Sequence, residues 1–216
     1  ASESDITEIR AKADSLGLQL TSVGCAVGWE LPLSSPDPAI VEKAVEANEK
    51  ALRIARWLGV DAVLVVPGVV TPEVSYDLAM VNARYALERL EPVAAKEGVC
   101  LALENVWNNF LLSPLEMRDF IDGFSSEYVG AYFDIGNIIL YGFSEQWIRI
   151  LGKRIRMMHA KDYRVGAGGF HGFVMLLEGN VNWPAVRTAM RDIGYDKAMV
   201  AEFGPYAHSL AGTLAH

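Results

Sequence analysis

The sequence predicts an α/β chain folded as a (β/α)8 barrel, on three observations. Short apolar runs alternate with longer amphipathic ones, helix start and stop signals fall between them, and no nucleotide-binding glycine motif follows any of the short runs. An open doubly wound sheet would share the alternation. It would normally carry a G-x-G-x-x-G or G-x-x-x-x-G-K-[ST] turn after a strand, and its absence puts the barrel first.

The elements follow in order along the chain. A helix pattern, ESDITEIRAKADSLG, opens at residue 3, and LQLTSV (18–23) is the first strand candidate. A helix is expected over 38–58, with Asp37 before Pro38 at its start and Gly59 at its end. DAVLVV (61–66) is the next strand, followed by a helix over 73–96 that Thr71, Pro72 and Glu73 introduce and Gly98 closes. VCLALE (99–104) leads to a helix over 113–123, for which Ser113, Pro114 and Glu116 supply the cap. YVGAYFD (128–134) precedes a helix over 143–151, and RIRMMHA (154–160) follows it. GFVML (172–176) is a weaker strand, then come a helix over 183–193 ending at Gly194 and the strand KAMVAEF (197–203). A full barrel of this kind needs another strand ahead of residue 1 and a longer closing helix than residues 204–216 provide. The expectation is a single domain, 1–216, whose barrel lacks the first strand and part of the last helix. Open strand edges would favour pairing with a partner or instability, and a homo-oligomer associating through the helices is one possibility.

Composition narrows the partners. The 216 residues are 51% apolar, enough for a large core, and carry a net charge of −8. With a pI near 5.0, the overall field repels nucleic acid and anionic membranes, and no basic stripe offsets it. Cys25 and Cys100 are the only cysteines. No signal peptide or apolar run of spanning length is present, so a reducing, cytoplasmic setting is expected.

Four ionisable residues stand at the carboxyl ends of four strand candidates: Glu104 in LALEN, Asp134 in YFDIGN, His159 in MMHAKD and Glu202 in VAEF. In a barrel these ends form one rim, where active sites are built. A lone acid at a strand end is commonly a cap or an ion-pair partner. Four on one rim converge, and each ends an apolar run where an unpaired charge costs several kcal/mol. A divalent cation removes that cost, and three carboxylates with one imidazole suit Mn²⁺ or Mg²⁺, with Co²⁺ a further candidate. Strand alternation turns Lys161 to the side of His159, where it either holds a substrate oxygen or pairs with a neighbouring acid such as Asp162. Asp162 is alternatively a support for the ligands, and Asn105 either orients Glu104 or merely begins the loop. Trp107 and Glu30 lie on rim loops and are candidate sugar-pocket residues, whereas Trp29 reads first as loop packing. GAGG (166–169) lacks the helix start of a phosphate cradle and reads as a loop or lid. No chemistry attaches to His171, His208 or His216.

The stretches LALENVWNNFLLSPLEM, YFDIGN, HAKDY, EGNVNWPAV and AEF resemble the xylose isomerase-like TIM barrels, in the sugar phosphate isomerase/epimerase branch with D-tagatose 3-epimerase-like and L-ribulose-5-phosphate 3-epimerase-like members. The resemblance runs from about residue 18 to 204. It implies that Glu104, Asp134, His159 and Glu202 bind one divalent metal, usually Mn²⁺, and that Glu104 and Glu202 form the acid/base pair for a ketose or sugar phosphate substrate. A metal-polarised carbonyl acidifies the neighbouring C–H, so a carboxylate can remove its proton and leave an enediolate. Return of the proton to the opposite face inverts the carbon, and return to the adjacent carbon interconverts ketose and aldose. Two positions depart from the branch. Asn137 stands where a substrate-binding histidine is usual, and Arg164 is offset by one from the usual arginine. Three rivals remain: an inosose-type dehydratase on the same site, an endonuclease IV-like phosphodiesterase, and a non-catalytic metal-binding barrel. One rim histidine and the net charge of −8 argue against the phosphodiesterase.

Overall fold

Six parallel strands curl into half of a barrel with helices along its outer face in the computed structural model, which describes residues 2–203. Helix α1 (Glu3–Ser15) leads to strand β1 (Val23–Cys25), α2 (Pro38–Leu58), β2 (Ala62–Val65), α3 (Tyr76–Glu97) and β3 (Cys100–Glu104). Then come α4 (Pro114–Asp122), β4 (Val129–Asp134), α5 (Ser144–Leu151), β5 (Ile155–Ala160), β6 (Asp162–Tyr163), β7 (Phe173–Val174), α6 (Trp183–Ile193) and β8 (Met199–Ala201). The sheet order is β1-β2-β3-β4-β5-β8, and no other strand closes the gap between β1 and β8 among the described residues. The closing helix expected to be curtailed over 204–216 lies outside the described residues, as do His208 and His216.

Local chemistry sets most boundaries. Asp37 accepts from Ala39 N and Ser113 from Glu116 N, and Pro38 and Pro114 open the helices behind them. Gly59, Gly98 and Gly194 stop α2, α3 and α6 in the left-handed conformation that favours glycine. Three expectations are corrected. Thr71 does not start α3: its hydroxyl accepts from Glu73 N and Val74 N, and its side chain closes a turn with Glu73. Ser75 is the N-cap position instead. The first strand begins only at Val23, because pairing with β2 runs over three positions, Val23 to Cys25. GFVML adds no barrel strand; Phe173 and Val174 pair antiparallel with Tyr163 and Asp162 in a rim hairpin.

The main core lies between sheet and helices. Leu101, Leu103 and Phe133 of the strands pack there with Leu52, Leu87 and Met117 of the helices, all fully buried. Each such side chain contributes roughly 1.5–3 kcal/mol by leaving water. The inner face of the curl carries a smaller cluster of Ala62, Ala102, Tyr132 and Met157. β3 and β4 are buried along their whole length, as strands covered on both faces must be. Their carboxyl ends therefore open on one sheltered rim.

Candidate active site

Parallel register brings the four ligand candidates together. Glu104 and Asp134 are the last residues of β3 and β4, His159 is aligned with Asp134 on β5, and Glu202 directly follows β8. Their donor atoms all lie within 4.8 Å of one another. The His159 Nδ1 is 3.0 Å from Glu104 Oε1, 2.9 Å from Glu202 Oε2 and 3.6 Å from Asp134 Oδ2.

Each carboxylate is aimed by its surroundings. Asp134 Oδ1 accepts from the backbone N–H of Gly136 and of Asn137, both at 2.8 Å, which turns Oδ2 into the cluster. Asn105 clamps the ends of β3 and β4: its amide donates to Asp134 O and its carbonyl accepts from Asp134 N, both at 2.8 Å. It thus orients Asp134 rather than Glu104. Gly136 has a packing reason, since a Cβ there would come within 2.8 Å of the Lys161 backbone oxygen. Tyr132, two residues before Asp134 and on the same face, lies against the His159 ring with centroids 4.5 Å apart.

The electrostatics are those of a crowded acidic site. Burial raises the Glu104 and Asp134 carboxyls above their ordinary values. Burial opposes a charged His159, but the facing carboxylates Asp134, Glu104 and Glu202 outweigh it and carry the ring up to about 12. Burial would raise Glu202 as well, yet His159 and Lys161 hold it below the usual carboxylate range. Lys161 Nζ stands 3.2 Å from Asp134 Oδ2 and 2.9 Å from Glu202 Oε2. Its position on the His159 side agrees with strand alternation, and its acid partners are these two rather than Asp162.

This donor set fits a divalent cation. Asp134 Oδ2 and Glu202 Oε2 are buried oxygens that receive no hydrogen bond, although cationic nitrogens lie close by. Proximity without direction is what donors aimed at a common centre give. Ligands on opposite sides of an ion bound at about 2.1–2.6 Å are separated by roughly 4.2–5.2 Å, which accommodates the observed spread.

Beside the cluster lies a cavity of about 370 Å³, walled by Trp29, Trp107, Phe170 and Phe173 with Asn137 and Lys161 at its polar end. Trp107 Nε1 donates to Asn137 O at 2.8 Å, and Lys161 donates to Asn137 Oδ1 at 3.2 Å. Of the expected pocket residues, Trp107, Asn137 and Lys161 are therefore brought together. Glu30 is exposed and takes no part in the lining. Trp29, read as loop packing, stands in the wall. Arg164 also falls outside: its guanidinium donates to Glu178 O through Nε and Nη2, because residues 165–172 loop out and return beside it. Asp162 does not touch the ligands. It is fully buried and accepts from Leu177 N, Val181 N and Trp183 Nε1, so it fastens the rim loop ahead of α6. His171 is exposed, in line with its lack of assigned chemistry. Phe170, Phe173 and Tyr132 are site residues that no motif in the sequence marks. Two aromatics inside a glycine-rich rim loop, GGFHGF, were the available signal for the first two.

Comparison with known proteins agrees with this architecture. Residues 1–213 match the family described as "Xylose isomerase-like TIM barrel". No curated protein sequence matches the chain. Among solved structures, a D-tagatose 3-epimerase-like protein superposes with a TM-score of 0.81 at 21% identity, over 93% of this chain and 76% of that one. D-psicose 3-epimerase from Clostridium cellulolyticum H10, solved with D-tagatose, gives 0.79 at 21% identity, over 100% and 75%. The 3-keto-D-glucoside 4-epimerase from E. coli gives 0.79 at 16% identity, over 99% and 84%. At these identities the likeness establishes the fold.

Proposed function

The chain belongs to the xylose isomerase-like TIM barrel family, and on that premise we propose that it is a divalent-metal-dependent epimerase or isomerase of a ketose. The observation that carries this reading is the convergence of Glu104, Asp134, His159 and Glu202, with two buried carboxylate oxygens left without hydrogen bonds. The sugar epimerases among its structural neighbours support the same class.

In this reading the four residues hold one metal ion, with Mn²⁺ the first candidate and Mg²⁺ or Co²⁺ the alternatives. The ion, when bound, polarises the substrate carbonyl and so acidifies the adjacent C–H. The protein supplies the proton transfers. Glu104 on β3 and Glu202 after β8 stand at the two ends of the arc β3-β4-β5-β8, with Asp134 and His159 between them. One carboxylate takes the C–H proton and the other returns a proton from the far side, so a stereocentre inverts with no net loss of atoms. If the proton is taken from C1 of a 2-ketose instead and delivered to C2, with the C1 hydroxyl proton moving to the former carbonyl oxygen, the product is the aldose. Asn137 and Lys161 hold substrate oxygens at the polar end of the cavity. Lys161 is the cation next to the reacting carbons, and it can stabilise negative charge that develops on oxygen.

The test is solvent exchange. The Mn²⁺-loaded protein is incubated in D₂O with D-fructose, D-tagatose, D-psicose and their phosphates, and deuterium at the C–H positions is followed by NMR after the metal is removed. Exchange is expected with the native chain and not with Glu104→Gln. No exchange on any ketose, with tight metal binding confirmed, would overturn the reading.

A further inference from the structure

Strand alternation sends Tyr132 to the same face of β4 as Asp134, and parallel register sets it opposite Met157, one inward position below His159 on β5. The phenol therefore lies diagonally beneath the imidazole, with ring centroids 4.5 Å apart and planes tilted by 52°. It is 1% exposed and shares the inner face of the curl with Ala62, Ala102 and Met157. The two alanines are small enough to leave the ring its room. A buried tyrosine hydroxyl needs a partner. Here the partner is Ser22, just ahead of β1, whose Oγ lies 3.2 Å away. The side chain thus reaches inside the curl from β4 to the start of β1 and is held at both ends.

An imidazole at a strand end needs such a neighbour. The backbone places the Cβ of His159, but the torsion that turns the ring about its Cβ–Cγ bond is broad and only loosely two-fold. Half a turn about that bond puts Cδ2 where Nδ1 was. The cluster requires Nδ1 in one place, 3.0 Å from Glu104 Oε1 and 2.9 Å from Glu202 Oε2. A bond to Nδ1 lies in the plane of the ring and does little to fix the tilt of that plane. A flat phenol packed against the ring does fix it, whereas an aliphatic side chain fills the space and presents no plane.

Resting on the metal-dependent function proposed above, we infer that Tyr132 is a positioning residue for the metal site: its ring, tethered to Ser22, holds the His159 imidazole in the orientation that presents Nδ1 to the ion. It acts through His159 alone. Asn105 serves Asp134 through the backbone of β4, and Tyr132 serves His159 through a ring face. Two of the central ligand candidates are therefore each aimed by a residue outside the donor set.

Calorimetric titration of Mn²⁺ into the native chain, Tyr132→Leu, Tyr132→Phe and Glu104→Gln tests this, with a urea denaturation midpoint taken for each. Tyr132→Leu is expected to weaken Mn²⁺ binding by about 10–100-fold, the usual cost of losing a residue that orients a ligand. Tyr132→Phe keeps the ring and gives up only the Ser22 bond, so it should stay within about fivefold of the native chain. A merely structural role would lower the denaturation midpoint of Tyr132→Leu and leave its Mn²⁺ affinity unchanged. Should Tyr132→Leu fail to fold, Tyr132→Met gives the same comparison without a ring. Native affinity in the ring-free variant, or no recovery in Tyr132→Phe, would overturn the inference. Glu104→Gln separates the two ideas. Weakened Mn²⁺ binding there, with native affinity in Tyr132→Leu, leaves the metal site standing and removes the positioning role, whereas a native chain that binds none of Mn²⁺, Mg²⁺ and Co²⁺ removes both.

Discussion

The two ends of the ligand arc are built differently. Glu104, Asp134 and His159 project from β3, β4 and β5, where β3 and β4 are buried throughout and flanked by partners on both sides. Glu202 follows β8, a strand of three residues that among the described residues pairs only with β5 and has Met199 40% exposed. The Glu104 side chain is 8% exposed and that of Glu202 is 44% exposed. Three ligand candidates are thus fixed by the core, and the fourth is carried by a strand that is the sheet edge among the described residues. Such a division would keep most of the proposed metal site preorganised while one carboxylate stays adjustable, since edge segments open at lower cost than central ones.

Substitutions can break or sharpen that contrast. The largest effect is expected from Glu104→Gln, which should lower substrate deuterium exchange by about 10²–10⁴-fold. Equal exchange by Glu202→Gln and native protein would show that the edge carboxylate takes no part in the chemistry. Next comes the central core. Phe133 is fully buried against Trp147 with ring centroids 6.1 Å apart, and Phe133→Ala should cost about 3–5 kcal/mol in urea denaturation. Val200→Ala on β8 should cost less than about 1 kcal/mol in the same assay, because Val200 is only partly buried. Equal losses at the two sites would erase the distinction between centre and edge.

Asn105 tests the centre more finely. Asn105→Ala removes both hydrogen bonds to the Asp134 backbone and should cost about 1–3 kcal/mol. It should also weaken Mn²⁺ binding by about 10–100-fold, as read by calorimetry, because Asp134 loses its clamp. The smallest effect belongs to Arg164→Ala. Among the described residues its guanidinium bonds only a loop carbonyl, so stability should move by no more than about 0.5 kcal/mol, and exchange of a free ketose should be retained. A large loss of turnover there would return Arg164 to the substrate.

Legibility followed the range of the interactions involved. Helix limits at Asp37, Gly59, Ser113 and Gly194 were readable because caps act through bonds to residues one to four positions away. Thr71 misled because its hydroxyl serves an isolated turn as readily as a helix end, and the two share one local chemistry. LQLTSV misled because strand length depends on how much partner backbone lies alongside.

By itself the sequence determined the alternation of strands and helices, the helix caps, and the placing of Glu104, Asp134, His159 and Glu202 at strand ends, because periodicity and position along a strand are local properties. Only the tertiary structure decided that those four donors meet within 4.8 Å, that Asn105 serves Asp134, that Arg164 turns away, and that Phe170 and Phe173 wall the cavity. Those outcomes depend on parallel register and on how a glycine-rich loop packs across the rim. Both are settled by contacts between residues far apart in the chain, and no local pattern encodes them.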